Sequence, residues 1–165
     1  MAKEIERKFL VEDLSYRSMA DSCHNIVQTY LSANPDATVR LRIVDGRGFI
    51  TVKGRNSGSE RDEWEYEIPE ADAREMMERC SHTPVIDKTR YRVGRWEVDE
   101  YHGTLSGLIV AEIELSGADE SVSLLPFVGK EVTGDCRYYN SALALSGRIP
   151  EDGGDSIRPR DSCIE

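Results

Sequence analysis

Residues 38–53 read TVRLRIVDGRGFITVK, and their hydropathy has a period of two. Val39, Leu41 and Ile43 alternate with Arg40 and Arg42; further on, Ile50 and Val52 alternate with Thr51 and Lys53. Side chains two apart share one face of an extended strand, so each half has an apolar face and a polar, mostly cationic one. Asp45-Gly46 between the halves is a hairpin signal, because tight antiparallel turns need positive φ and Gly adopts it without a Cβ penalty. The stretch is an antiparallel hairpin.

The same alternation continues on both sides. Lys3–Val11 sets Glu4, Glu6 and Lys8 against Ile5, Phe9 and Val11, with Arg7 the one break in the apolar set. A short helix fits within Glu12–Ser22, a second strand covers Cys23–Ser32, and Asn34, Pro35 and Asp36 mark a turn. Beyond the polar loop Gly54–Ser59, Trp64, Tyr66 and Ile68 oppose Glu63, Glu65 and Glu67. The period then changes. In Glu70–Cys80, Ala73, Met76, Met77 and Cys80 lie three and four apart after Pro69, which predicts one amphipathic helix. Strands return at Lys88–Val93, Arg95–His102 and Leu108–Leu115; Asp119–Val128 and Asp135–Ser146 read as two more short helices.

A chain of 165 residues has the size of one domain, and its 32% charged residues exceed the usual quarter. The formal net charge of −10 argues against general nucleic-acid binding, which needs a basic footprint, though a local basic pocket remains allowed. The sequence has no apolar run of membrane-spanning length, and Met1–Leu10 is too charged for a signal peptide, so the expectation is a cytoplasmic protein. Cys23, Cys80, Cys136 and Cys163 form no Cys-x-x-Cys pair, and His24, His82 and His102 lack metal-ligand spacing; neither set predicts a zinc site. Residues 1–148 read as the domain. Residues 149–165, rich in Pro, Gly and charge without periodicity, read as a flexible tail.

The charged faces admit two readings. In a two-layer sheet they would simply be solvated. Their signs, however, are segregated by strand: basic at Arg40, Arg42, Lys53, Lys88 and Arg90, acidic at Glu4, Glu6, Glu63, Glu65, Glu67, Glu112 and Glu114. The second reading is a closed barrel with this face turned to a wet lumen and its apolar outer side covered by helices. Such a lumen carries a large desolvation cost unless water and bound ions fill it. A polyanion with divalent cations would satisfy both signs.

In order along the chain, Glu4-x-Glu6-x-Lys8, Tyr30, Arg40-x-Arg42, Thr51-x-Lys53, Glu63-Trp64-Glu65, Lys88-x-Arg90, Trp96 to Asp99, Glu112-x-Glu114, Glu131-Val132-Thr133, Tyr138 and Asn140 resemble the CYTH superfamily, the triphosphate tunnel metalloenzymes. The resemblance covers roughly residues 2–146. It implies a mainly β fold: an eight-stranded antiparallel β-barrel tunnel with helices packed outside. It also implies hydrolysis of inorganic tripolyphosphate to pyrophosphate and phosphate, dependent on Mg2+ or Mn2+, with two divalent ions engaged during turnover.

Carried over by that resemblance, Glu4, Glu6, Glu112 and Glu114 would be metal ligands, with Glu63, Glu65 and Asp99 as helpers. Lys8, Arg40, Arg42, Lys53, Lys88 and Arg90 would bind phosphates, and Lys53 with Tyr30 would be catalytic. The family also holds nucleoside and thiamine triphosphatases and class IV adenylate cyclases. Trp64, on the apolar side of its strand, is poorly placed to stack an organic group in the lumen. A non-catalytic polyphosphate-binding module is the remaining alternative. The expected partner is a small polyanion, with no nucleic acid and no membrane, and the strip of Trp64 and Tyr66 leaves room for a homodimer. The segment Asp135–Ser146 either packs on the barrel or, as the resemblance suggests, closes one mouth of the tunnel.

Overall fold

The computed structural model of the chain describes residues 2–57 and 60–151. Its strands are β1 (Ala2–Val11), β2 (Ser22–Asn34), β3 (Ala37–Val44), β4 (Arg47–Lys53), β5 (Glu60–Ile68), β6 (Ile86–Val93), β7 (Trp96–Tyr101), β8 (Ile109–Glu114) and β9 (Val128–Glu131). Three α-helices accompany them: α1 (Tyr16–Met19), α2 (Glu70–Cys80) and α3 (Asn140–Ser146). Every pairing is antiparallel, in the order β5-β4-β3-β2-β6-β7-β8-β1, and β5 pairs with β1 to close an eight-stranded barrel. The hairpin expected at Asp45-Gly46 joins β3 to β4, with φ of 48° and 80° at the two turn residues.

Closure uses β1 twice. Residues through Ile5 pair with β5, and residues from Phe9 onward pair with β9, so the short ninth strand fills the place that β5 vacates. Arg7, the break in the apolar alternation, is explained here: it points outward and makes a bidentate ion pair with Glu131 of β9, both bonds 2.8 Å.

The alternating register sorts the faces as a closed barrel requires. Apolar outward positions on β1 and β6–β8 form one core with Tyr16 of α1 and Phe127: Phe9 meets Trp96 edge-on at 5.5 Å, and Tyr16 meets Tyr91 and Phe127 at 5.2 and 5.9 Å. On the β3–β4 side α2 provides the cover. There Gly48 is required by close approach, since a Cβ at that position would lie 2.9 Å from the Ala73 Cβ. Tyr66 is left 64% exposed.

The second core lies across one end of the lumen. Leu10, Tyr30, Ile86, Tyr101 and Val110 point inward there and meet Val132, Tyr138, Leu143, Ala144 and Ile149 from the chain after β9. That segment, with a 3-10 turn at Cys136–Tyr138 followed by α3, plugs the barrel. Closure of one mouth is thus what the structure shows for the 135–146 segment, with a shorter α-helix than its composition suggested.

One expectation changes. Asp119–Val128 is not a helix: Ser116 is tied to Glu120, Pro126 interrupts the run, and Val128 already pairs with Val11 in β9. The ninth strand itself, four residues beginning Val128-Gly129, is too short to show a period. Ile149, read as the first residue of the tail, is 1% exposed in the plug core, so the folded unit reaches at least that far. Of the proposed tail, residues 152–165 lie outside the described residues. No helix among the described residues is long and apolar enough to cross a membrane.

Candidate active site in the barrel lumen

The lumen beyond the plug is charged because the polar face of every wall strand turns into it. A polar cavity of about 600 Å³ is lined by Glu4, Glu6, Arg40, Arg42, Lys53, Glu63, Glu65, Arg90, Glu97, Glu112 and Glu114, and its open rim carries Arg92 and Arg95. A smaller recess of about 70 Å³ runs beneath the plug, where Lys8 and Tyr30 join Thr38, Thr51, Lys53, Asn56, Arg61 and Tyr139. The side-chain amide of Asn56 donates to the Tyr139 hydroxyl at 2.5 Å, bridging the β4–β5 loop to the plug.

Acids and bases interlock. The Lys53 ammonium lies 2.6 Å from Glu4 and 3.2 Å from Glu63. Lys8 sits 3.1 Å from Glu112 and 4.0 Å from Glu6, and donates to the Tyr138 carbonyl at 3.2 Å. Arg40 reaches Glu65 at 3.4 Å, while the Thr51 hydroxyl donates to the same carboxylate at 2.8 Å. Arg90 pairs with Asp99 and Glu97 and lies 3.8 Å from Glu112. Lys88, fully buried, donates to Asp99 at 2.6 Å and to Asn140 at 3.3 Å. Arg42 differs: its hydrogen-bond partner is the neutral Gln28, at 3.1 Å.

These contacts set the protonation states. Burial alone would raise the Glu112 pKa, but Lys8, Arg90 and Lys88 outweigh it and hold the group at about 2. Glu6 goes the other way: burial, then repulsion from Glu112 and Glu4, pushes it up to about 7 despite Lys8. Burial would also raise Glu4, and the charge and hydrogen bond of Lys53 bring it below the usual carboxylate range. For Lys88, burial lowers the pKa to about 7, against the pull of Asp99. Asp99, despite its burial, is held well below the carboxylate range by Arg90 and Lys88.

The donor set tests whether a cation suits this lumen. It consists of carboxylates without His or Cys, the chemistry of hard divalent ions such as Mg2+ and Mn2+. The elevated Glu6 pKa marks excess negative charge where Glu4, Glu6 and Glu112 crowd together, and a divalent cation would neutralise it. As the side chains stand, no three acids among the described residues gather tightly enough to hold an ion, because lysines and arginines separate them. The residues fit the group in chemistry, and the glutamates must exchange a cationic partner for it.

The two cavities are lined by every site residue assigned from the sequence except Lys88 and Asp99, which are buried and pair with each other. Glu114 lies exposed at the mouth end of β8, while Asp99 is 1% exposed with both oxygens taken by Lys88 and Arg90. Tyr30 and Lys53 line one recess without a hydrogen bond between them. Sequence reasoning assigned no role to Gln28, Glu97, Arg61 or Tyr139. Gln28 and Glu97 do follow the inward period of β2 and β7, so the alternation that found their neighbours points to them as well. Arg61 also follows the inward period of β5, two residues before Glu63, whereas Tyr139 lies in irregular chain with no period to read.

An eight-stranded tunnel plugged at one end, with bases and acids facing each other across it, is the architecture of a phosphate-chain-binding tunnel protein. The CYTH domain family model matches residues 2–139, and the chain belongs to that family. It is 43% identical over 147 residues to an inorganic triphosphatase of Acetivibrio thermocellus, covering 87% of this chain and 94% of that one. An inorganic triphosphatase of Nitrosomonas europaea is 35% identical over 152 residues, covering 87% and 97%. The crystal structure of an inorganic triphosphatase, 32% identical, matches with a TM-score of 0.60 over 92% of this chain and 99% of that one. A Pyrococcus horikoshii protein of solved structure shares the fold at 20% identity, with a TM-score of 0.53 over 69% and 80%.

Proposed function

We propose that this protein is a triphosphatase that hydrolyses inorganic tripolyphosphate to pyrophosphate and orthophosphate with the help of a divalent cation. The observation that carries the reading is the plugged lumen, where a row of bases (Lys8, Arg40, Arg42, Lys53, Arg90) faces a row of acids, with Lys88 buried behind it on Asp99. A phosphate chain needs the first row and its counter-cations need the second. The similarity to proteins named inorganic triphosphatase supports the same substrate class.

In the reaction, water adds to a terminal phosphorus, the phosphoanhydride P–O bond breaks, and the electron pair leaves with the pyrophosphate oxygen. The chain's own residues do three things. Arg40, Arg42 and Arg90 clamp the non-bridging oxygens and fix the chain in line, which supplies orientation and charge stabilisation. Lys53, held between Glu4 and Glu63, stands where phosphate oxygens meet the acids, and with Tyr30 in the same recess it orients the attacking water. Asp99 serves as the buried counter-ion that presents Arg90 and Lys88. Glu4, Glu6, Glu112 and Glu114 would hold Mg2+ or Mn2+, which when bound supplies charge neutralisation and Lewis acidity. On this reading the protein works in the cytoplasm on a small polyanion, and Trp64 and Tyr66 face a second copy of the chain, which sedimentation tests.

The experiment is phosphate release from tripolyphosphate, pyrophosphate, ATP and thiamine triphosphate, with Mg2+, Mn2+ or chelator, while cyclic AMP is monitored. Cation-dependent release from tripolyphosphate is expected. Binding of tripolyphosphate without release would leave a binding module, and cyclic AMP from ATP would make the protein a cyclase. Within the reading, Lys53→Ala lowers kcat more than it raises KM; unchanged kcat would reduce Lys53 to a clamp.

A further inference from the structure

Five of the six cations proposed to bind phosphate have a carboxylate within 4.0 Å: Lys8 has Glu112, Arg40 has Glu65, Lys53 has Glu4, and Lys88 and Arg90 have Asp99. Among the described residues Arg42 has none. Its guanidinium Nε donates to the Gln28 side-chain oxygen at 3.1 Å, and Gln28 sits directly opposite it across the β2–β3 ladder. Gln28 is fully buried, and its amide Nε2 has no hydrogen-bond partner. A buried donor left unpaired costs free energy, typically about 1–3 kcal/mol. A glutamate of the same shape would remove that donor and would form an ion pair with Arg42.

We infer that Gln28 is a positioning residue for substrate binding: its neutral amide fixes the Arg42 guanidinium in the lumen wall without neutralising it. Arg42 thereby keeps its whole charge for the phosphate chain, whereas Arg40 and Lys53 share theirs with Glu65 and Glu4. Burial first, and then the nearby Arg40 and Arg90, press the Arg42 pKa down to about 9, while Asp99 pulls it up. Arg42 lines the cavity that an anion would enter. Gln28 itself lines neither cavity, so it acts through Arg42 rather than on the substrate.

The inference rests on the triphosphatase reading for its substrate, and the test separates the two. Gln28→Glu keeps size and hydrogen-bond geometry while adding the charge. It is expected to leave the melting temperature unchanged or higher, to raise KM for tripolyphosphate at least tenfold, and to change kcat by less than threefold. Calorimetric binding of tripolyphosphate to the metal-free protein should weaken by a similar factor, and this holds even if the wild type turns nothing over, which would overturn only the triphosphatase reading. In an Arg42→Gln background the Gln28→Glu change should have no further effect on affinity. A Gln28→Glu protein that folds and binds tripolyphosphate within twofold of wild type overturns the inference, as does an equal effect of the change with and without Arg42. Gln28→Met, which removes the tether without adding charge, is expected to weaken binding less than Gln28→Glu; an equal or greater loss would show that Gln28 works by packing and overturn the role given to its neutrality.

Discussion

Glu6 shows most directly how one side chain carries the conflict of the lumen. Its carboxyl is raised to about 7 by burial and by Glu112 and Glu4, from an unfolded value of 4.5. Between those values the folded state binds more protons than the unfolded one, so the metal-free protein loses stability as pH rises from about 4.5 to about 7. Glu6→Gln therefore stabilises the metal-free protein at pH 8 by about 1–2 kcal/mol, measured by denaturant unfolding, while it lowers turnover. The same protonation opposes cation binding, so Mg2+ affinity measured by calorimetry should rise as pH increases from 6 to 8 and change much less in Glu6→Gln. Asp99 behaves oppositely. Its carboxylate is held down by Arg90 and Lys88, and Asp99→Asn leaves two buried cations short of their partner, a loss of about 3–5 kcal/mol visible as a lower melting temperature.

At the scale of elements, what could be read from the sequence was what repeats. β1, β3, β4 and β5 each carry an alternation of polar inward and apolar outward side chains, broken on β1 at Arg7, and the glycine turn fixes the β3–β4 register; each is legible with its facing. The plug was only half legible. Tyr138, Leu143 and Ala144 are buried, but what buries them is the inward end of five strands, a contact fixed by barrel closure and not by local period. The helix expected at Asp119–Val128 does not form, because the order there comes from a side chain, Glu120, folding back on Ser116, and from β9 borrowing an edge of β1. Two element-scale outcomes follow. Leu143→Ala should destabilise the protein by about 2–4 kcal/mol through a cavity in the plug core. Gly48→Val should cost about 1–3 kcal/mol, because Ala73 and the Ile68 carbonyl leave no space for a side chain where α2 crosses β4. Thermal unfolding checks both.

For the whole molecule, the closed ring of strands removes sheet edges along most of the wall and places opposite charges on one inner surface while the net charge stays at −10. Because the core of the plug already includes Ile149, a chain ending at Glu151 should keep the melting temperature and tripolyphosphate turnover of the full chain within experimental error. The acids and bases that make the site were visible as residues, but their partners were not: which lysine meets which glutamate depends on the stagger of strands around the barrel. The plug fills one end of the described lumen, with the Asn56–Tyr139 bond beside it, so substrate is expected to enter and product to leave by the opposite rim, at Arg92 and Arg95. A chain of three phosphates cut inside such a blind tube gives one fragment near the mouth and one behind it, and the rear fragment must wait. Release is then obligatorily ordered: the product that inhibits competitively against tripolyphosphate is the one formed at the plugged end, the other inhibits non-competitively, and measuring both patterns reveals which way round the substrate lies.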